Sequence, residues 1–136
     1  MITGVNTVVV WVLDQDSAQS FFTEKLGLEA RTDVPFSEDV RWVTVGPEGQ
    51  PELQLTLMVP GAPVQDAESA EQLKSLLAKG ALVGCTFTVQ DCHAAVKELS
   101  ARGVTILQEP RPQPWGVSAT FRDDSGTTFE LLQPHQ

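Results

Sequence analysis

The sequence predicts an α+β chain built from two tandem βαβββ modules. Two observations predict it. The element order strand–helix–strand–strand–strand reads twice, in residues 1–60 and again in 81–136, around a linker at 61–80 that carries a helix. The halves also match in sequence. Val12-Leu13-Asp14 falls on Val89-Gln90-Asp91 at an offset of 77, as do Ala18 on Ala95 and Gly49 on Gly126. Leu53-Gln54-Leu55 falls on Phe129-Glu130-Leu131 at an offset of 76. Matches in this order mark a duplicated module, each copy too small to bury both faces of its sheet alone.

Each element has a local reason. Val5–Leu13 is dense in β-branched side chains, which suits a buried strand. Asp14, Asp16 and Ser17 supply helix N-cap chemistry. Ala18, Phe21, Phe22 and Leu26 then recur at helical spacing, and Gly27 stops the helix. Strands follow at 28–32, 40–45 and 53–59, separated by Pro35, the Gly46–Gly49 turn and Pro60-Gly61. In the linker, Ala67, Ala70, Leu73, Leu76 and Leu77 predict a helix closed by Lys79-Gly80. The second copy begins with a strand at 82–89. Asp91 caps a helix with Ala95, Val96 and Leu99 on its apolar face, and Gly103 ends it. Strands at 104–107, 117–122 and 127–133 complete the module, with Pro134 ending the last.

Bulk properties narrow the function. The 136 residues carry a formal net charge of −9, which repels phosphate backbones and argues against a nucleic-acid partner. No apolar run approaches the roughly eighteen residues of a membrane span, and the N-terminus lacks the basic and apolar regions of a signal peptide. The expectation is a cytoplasmic protein with no membrane partner. Cys85 and Cys92 lie in different predicted elements without CxxC spacing and read as reduced thiols. Cys85 is expected to be buried. Cys92 and His93 are adjacent on a helix and diverge too far to act as a nucleophile and base. Asp123-Asp124-Ser125-Gly126 lacks the further oxygen ligands of a calcium loop and reads as a hairpin turn.

Three stretches carry a family resemblance. VLDQDSAQSFFTEKLGLE resembles the opening of a vicinal oxygen chelate module, the fold of glyoxalases, bleomycin-resistance proteins and extradiol dioxygenases. RWVTVGPEG is similar to that module's third strand, and PWGVSATFRDDSGTTFELLQP to the close of the second module. The resemblance implies that the modules curl a mixed sheet around a cup, with helices outside. In metal-dependent members, the first and fourth strands of each module each offer a ligand to one divalent ion. Carried onto this chain, those positions are Thr7, Gln54, Gly84 and Glu130. Only Glu130 is a strong ligand and Gln54 a weak one, where a catalytic divalent ion wants about three.

Glu130 therefore has three readings: metal ligand, polar anchor for a ligand, or structural carboxylate, paired with an arginine (Arg41, Arg111 and Arg122 are available) or an amide, or held by water. Strand parity places Thr7, Val9 and Trp11 on one face, with Gln54, Thr56 and Met58, and Thr86 and Thr88 beside Gly84. Trp11 is the stacking candidate. Trp42 is expected in the core, and Trp115 either plugs the cup or lies exposed. The expected ligand-binding set is Thr7, Trp11, Gln54, Trp115 and Glu130, with no metal or other cofactor. The expected function is binding of a small organic molecule by a homodimer. The alternative is a divalent-metal lyase, isomerase or dioxygenase of the same superfamily, and an interaction module with a filled cup is a third reading.

Overall fold

The structure, a computed structural model, describes residues 1–38 and 40–135. Residue 136, the end of the expected second module, lies outside the described residues. In chain order the elements are β1 (Thr7–Trp11), α1 (Gln15–Ser20) continued by a π-helical turn at Phe21–Lys25, β2 (Glu29–Ser37), β3 (Val40–Gly46), β4 (Gln54–Met58), α2 (Ala67–Ala78), β5 (Val83–Thr88), α3 (Cys92–Ala101), β6 (Thr105–Gln113), β7 (Gly116–Arg122) and β8 (Thr128–Pro134). The chain divides into two compact units, Met1–Ser75 and Leu76–Gln136. Among the described residues no helix is long and apolar enough to cross a membrane.

The two units share one topology. In the first, the strand order is β1-β4-β3-β2; in the second it is β5-β8-β7-β6. β1 runs parallel to β4 and β5 parallel to β8, while the remaining pairs are antiparallel. The parallel pairing needs a crossover, which the helix and the intervening strands supply.

Alternation sets the core of each unit. In the first, Val10, Val12, Val43, Val45, Leu55 and Leu57 are buried on the face covered by α1, together with Ala18, Phe21 and Phe22. Asp14 caps α1 by accepting from the Ser17 N–H at 2.8 Å. Gln15 fastens the helix to the sheet, its Nε2 donating to the carbonyls of Leu57 (2.8 Å) and Arg41 (3.0 Å). Arg41 pairs with Asp16 on α1 and Asp33 on β2. In the second unit, Phe121 and Phe129 are fully buried and stack at 5.7 Å, and Phe87 stacks on Phe129 at 5.5 Å. Val96 and Leu99 of α3 are buried with them. Asp91 repeats the cap, accepting from the Ala94 N–H at 3.0 Å.

Several expectations change. β2 and β6 are each nine residues long, well beyond the predicted 28–32 and 104–107. Both are edge strands, where a proline costs no ladder hydrogen bond, so Pro35, Pro110 and Pro112 continue the strand instead of ending it. Pro134 likewise lies within β8, paired with Gly116. Cys85 is only half-buried. Trp42 is half-buried and not a core residue, because Val43 and Val45 take the helix-covered side and alternation turns Trp42 to the other face.

Candidate functional site

The face of each sheet turned away from its helix carries the candidate residues. In the first unit, register places three rows across it. Thr7 pairs with Gln54. Val9, Thr56, Thr44 and Thr32 form the next row; farther along, Trp11 pairs with Met58 on β1 and β4, and Trp42 with Val34 on β3 and β2. Phe36 extends the aromatic end, its ring 6.3 Å from that of Trp42. Thr7, Trp11 and Gln54 thus share one face as strand parity predicts, and Trp42 lies on the same face of β3.

The Thr56 and Trp11 rows carry no charged side chain, but the Gln54 end of the face does: Glu29 pairs with Gly46, and the Arg31 guanidinium packs where a Gly46 side chain would stand, 3.5 Å from the Glu29 carboxylate. Arg31, beside Gly46, directs its guanidinium to the turn that joins β3 to β4, donating to the carbonyls of Pro47 (2.7 Å), Gln50 (3.1 Å), Pro51 (3.3 Å) and Leu53. Three neutral polar atoms of the rows lack partners. Thr44 Oγ1, Thr56 Oγ1 and Gln54 Oε1 are buried and make no hydrogen bond. Thr56 is 0% exposed and Thr44 1%. An unmet buried polar group costs about 1–3 kcal/mol, so three on one face mark a place where hydrogen bonding is incomplete in the protein alone. Alternation over β3 and β4 did not bring Thr44 forward from sequence, because threonine in a strand is equally suited to a plain pleated surface.

In the second unit the corresponding row is Thr86, Glu130, Thr120 and Gln108. Thr86 donates to Glu130 Oε1 at 3.1 Å. Arg122 and Arg111 lie on the rows to either side of Glu130, paired through Thr128 and Ser118. None of the ion pairs among the described residues involves Glu130. Trp115 lies at the β6–β7 turn and is 54% exposed. Its carbonyl accepts from the His135 N–H at 3.2 Å.

The position carried over for β5 is corrected. A register shift between Val83 and Thr86 makes Thr86 the residue opposite Glu130. A side chain at Gly84 would run into the Phe129 ring on the helix-covered side, so Gly84 does not share the face of Thr86 and Thr88. Counting back from Asp91 could not reveal a bulge.

On these strands the first unit offers Thr7 and Gln54, a hydroxyl and an amide, and the second offers Thr86 and Glu130, a hydroxyl and a carboxylate that already accepts from it. Among the described residues no group of three or more His, Cys, Asp and Glu could hold a metal ion. These residues do not fit a catalytic divalent ion, which takes about three protein ligands.

Two other features lie off these faces. Asp123 is buried in the β7–β8 turn, where its Oδ1 accepts from the N–H groups of Ser125 (3.0 Å), Gly126 (2.9 Å) and Thr127 (2.9 Å). This confirms the hairpin-turn reading. Burial pushes the carboxyl up to about 6 against the pull of those donors. A groove of about 420 Å³ between α3 and β6 is lined by residues that include His93, Lys97 and Glu109. It contains none of the expected site residues.

Comparison with known proteins agrees with this architecture. Residues 4–131 match the model of the glyoxalase/bleomycin resistance protein/dioxygenase superfamily. The chain is 42% identical to UcmS2, whose crystal structure superposes with a TM-score of 0.91 over 98% of this chain and 99% of that one. It is 29% identical to TnmS3, an antibiotic binding protein from Streptomyces sp. CB03234, with a TM-score of 0.78 and 98% of each chain covered. YetH of Bacillus subtilis (strain 168) is 30% identical over 133 residues, covering 98% of this chain and all of that protein. The chain belongs to the glyoxalase/bleomycin resistance protein/dioxygenase superfamily.

Proposed function

We propose that this protein binds a small organic molecule on the helix-free sheet faces and does so without a catalytic metal. The observation that carries the reading is the make-up of the β1–β4 face. It combines Trp11, Trp42 and Met58 with unpartnered neutral polar atoms of Gln54, Thr44 and Thr56. Apolar surface with a few placed polar groups is how proteins hold drug-sized ligands. The similarity to TnmS3, an antibiotic binding protein, supports the same direction, and the role proposed is sequestration of a toxic compound. Glu130 and Trp115 supply a polar anchor and an exposed ring on the second unit.

Two measurements test this. Manganese, nickel and zinc are titrated calorimetrically into protein purified without a histidine tag, and into its Glu130→Ala variant. The expectation is no stoichiometric uptake by either. A panel of antibiotics is then screened by thermal melting with a chelator present. A binder at about 100 times its Kd adds about 2.7 kcal/mol and raises Tm by several degrees. Stoichiometric metal in the parent that is lost in Glu130→Ala would overturn the proposal in favour of a metal-dependent lyase, isomerase or dioxygenase.

A further inference from the structure

We propose that the β1–β4 face selects uncharged aromatic ligands that carry an O–H or N–H donor, with Gln54, Thr44 and Thr56 as the specificity-determining residues. This rests on the binding function proposed above and names the ligand class for its first unit.

Three features point to that class. Gln54 Oε1 is buried, unpartnered and able only to accept, so a molecule that satisfies it must bring a donor. Thr44 and Thr56 face each other across β3 and β4, yet neither hydroxyl has a partner. Each can donate to a ligand oxygen or accept from a ligand hydroxyl. The flat and polarisable groups lie on the adjoining row, where Trp11 is in register with Met58, and Trp42 is two residues before Thr44. Indole faces and a thioether suit an aromatic ring. Charge is excluded for a separate reason. The Thr56 and Trp11 rows offer no charged side chain, and Arg31 at the Gln54 end is already held by four backbone carbonyls and Glu29, so an ionised ligand group brought there would lose its water without gaining a counter-charge that is not already engaged. A site built to hydrogen-bond a hydroxyl discriminates strongly against the analogue that lacks it, because the buried partner is left unmet.

The test uses a matched set of coumarins in buffer acidic enough to keep the hydroxyl protonated. 7-Hydroxycoumarin, 7-methoxycoumarin and 7-carboxymethoxycoumarin are titrated by calorimetry into the parent, Gln54→Leu and the double variant Thr44→Val with Thr56→Val. The hydroxy compound should bind at least about tenfold more tightly than the methoxy ether, and the carboxylate most weakly. The preference for hydroxyl over ether should fall to near unity in both variants. Melting temperature reports a merely structural role. The valine pair removes two unmet hydroxyls without changing shape, so its Tm should equal or exceed the parent's. Equal binding of hydroxy and methoxy compounds by the parent would overturn the donor rule, as would a preference that survives in both variants. Failure of every coumarin to bind would overturn the aromatic class. Neither result touches the broader binding reading, which falls on the metal titration instead.

Discussion

The buried carboxylate of the β7–β8 turn gives a sharp test of the structure, because two forces act on it in opposite directions. Three backbone N–H groups converge on Asp123 Oδ1 and favour the ionised form. Burial disfavours it, and Asp123 Oδ2 has no hydrogen-bond partner. Neighbouring Asp124 adds repulsion of like charge. Burial is the largest contribution, and the carboxyl sits near 6 against an ordinary 3.8. That difference corresponds to about 3 kcal/mol. Between these two values the folded protein holds the proton more tightly than the unfolded chain. Stability from this group is therefore fully present below pH 3.8 and is lost as pH rises through about 6. Asp123→Asn keeps an oxygen for the three N–H groups and removes the titration. Urea unfolding of parent and variant is measured from about pH 4 to pH 7. The parent's stability minus the variant's should fall by a large part of about 3 kcal/mol across that range, other titrating groups cancelling in the difference. A flat difference, or one that rises with pH, would show that the three donors outweigh burial and would refute the reasoning.

Three further outcomes follow from packing and capping. Phe129→Ala removes a fully buried ring stacked on Phe87 and Phe121 and should cost about 3–5 kcal/mol in urea unfolding. Gly84→Ala forces a methyl group into the Phe129 ring and should cost about 1–3 kcal/mol, whereas alanine on an open sheet face would be nearly neutral. Asp91→Ala removes the side-chain acceptor for the Ala94 N–H and should destabilise the second unit by about 1 kcal/mol, with earlier amide exchange in the first turn of α3.

Much of the fold was legible because its causes are local. Asp14 and Asp91 announce their helices through the chemistry of a cap, and at both the structure shows the side-chain bond that makes it. The β-branched run of β1 and the alternation of Phe129 and Leu131 against Glu130 told which side of each strand meets the helix. The internal offsets of 77 and 76 carried the duplicated topology. Edge position was not legible. Pro35, Pro110 and Pro112 look like strand stops in isolation, and only their place at the margin of a sheet makes them harmless.

The sequence by itself determined the two-module α+β architecture, the faces of β1, β4 and β8, and the poverty of metal-ligating side chains on them. These follow from periodicity and residue type, which act over a few neighbours. Tertiary structure decided the rest. Pairing register put Thr86 opposite Glu130 and took Gly84 off the face it was expected to share with Thr86 and Thr88, since a register shift is set by the neighbouring strand and Gly84 lies against Phe129. Cross-strand pairing set Thr44 opposite Thr56, and alternation along β3 turned Trp42 out of the core to the face that carries Thr44. Whether a buried hydroxyl finds a partner depends on groups far away in the chain, so the unmet atoms of Gln54, Thr44 and Thr56 became visible only once the sheet was assembled.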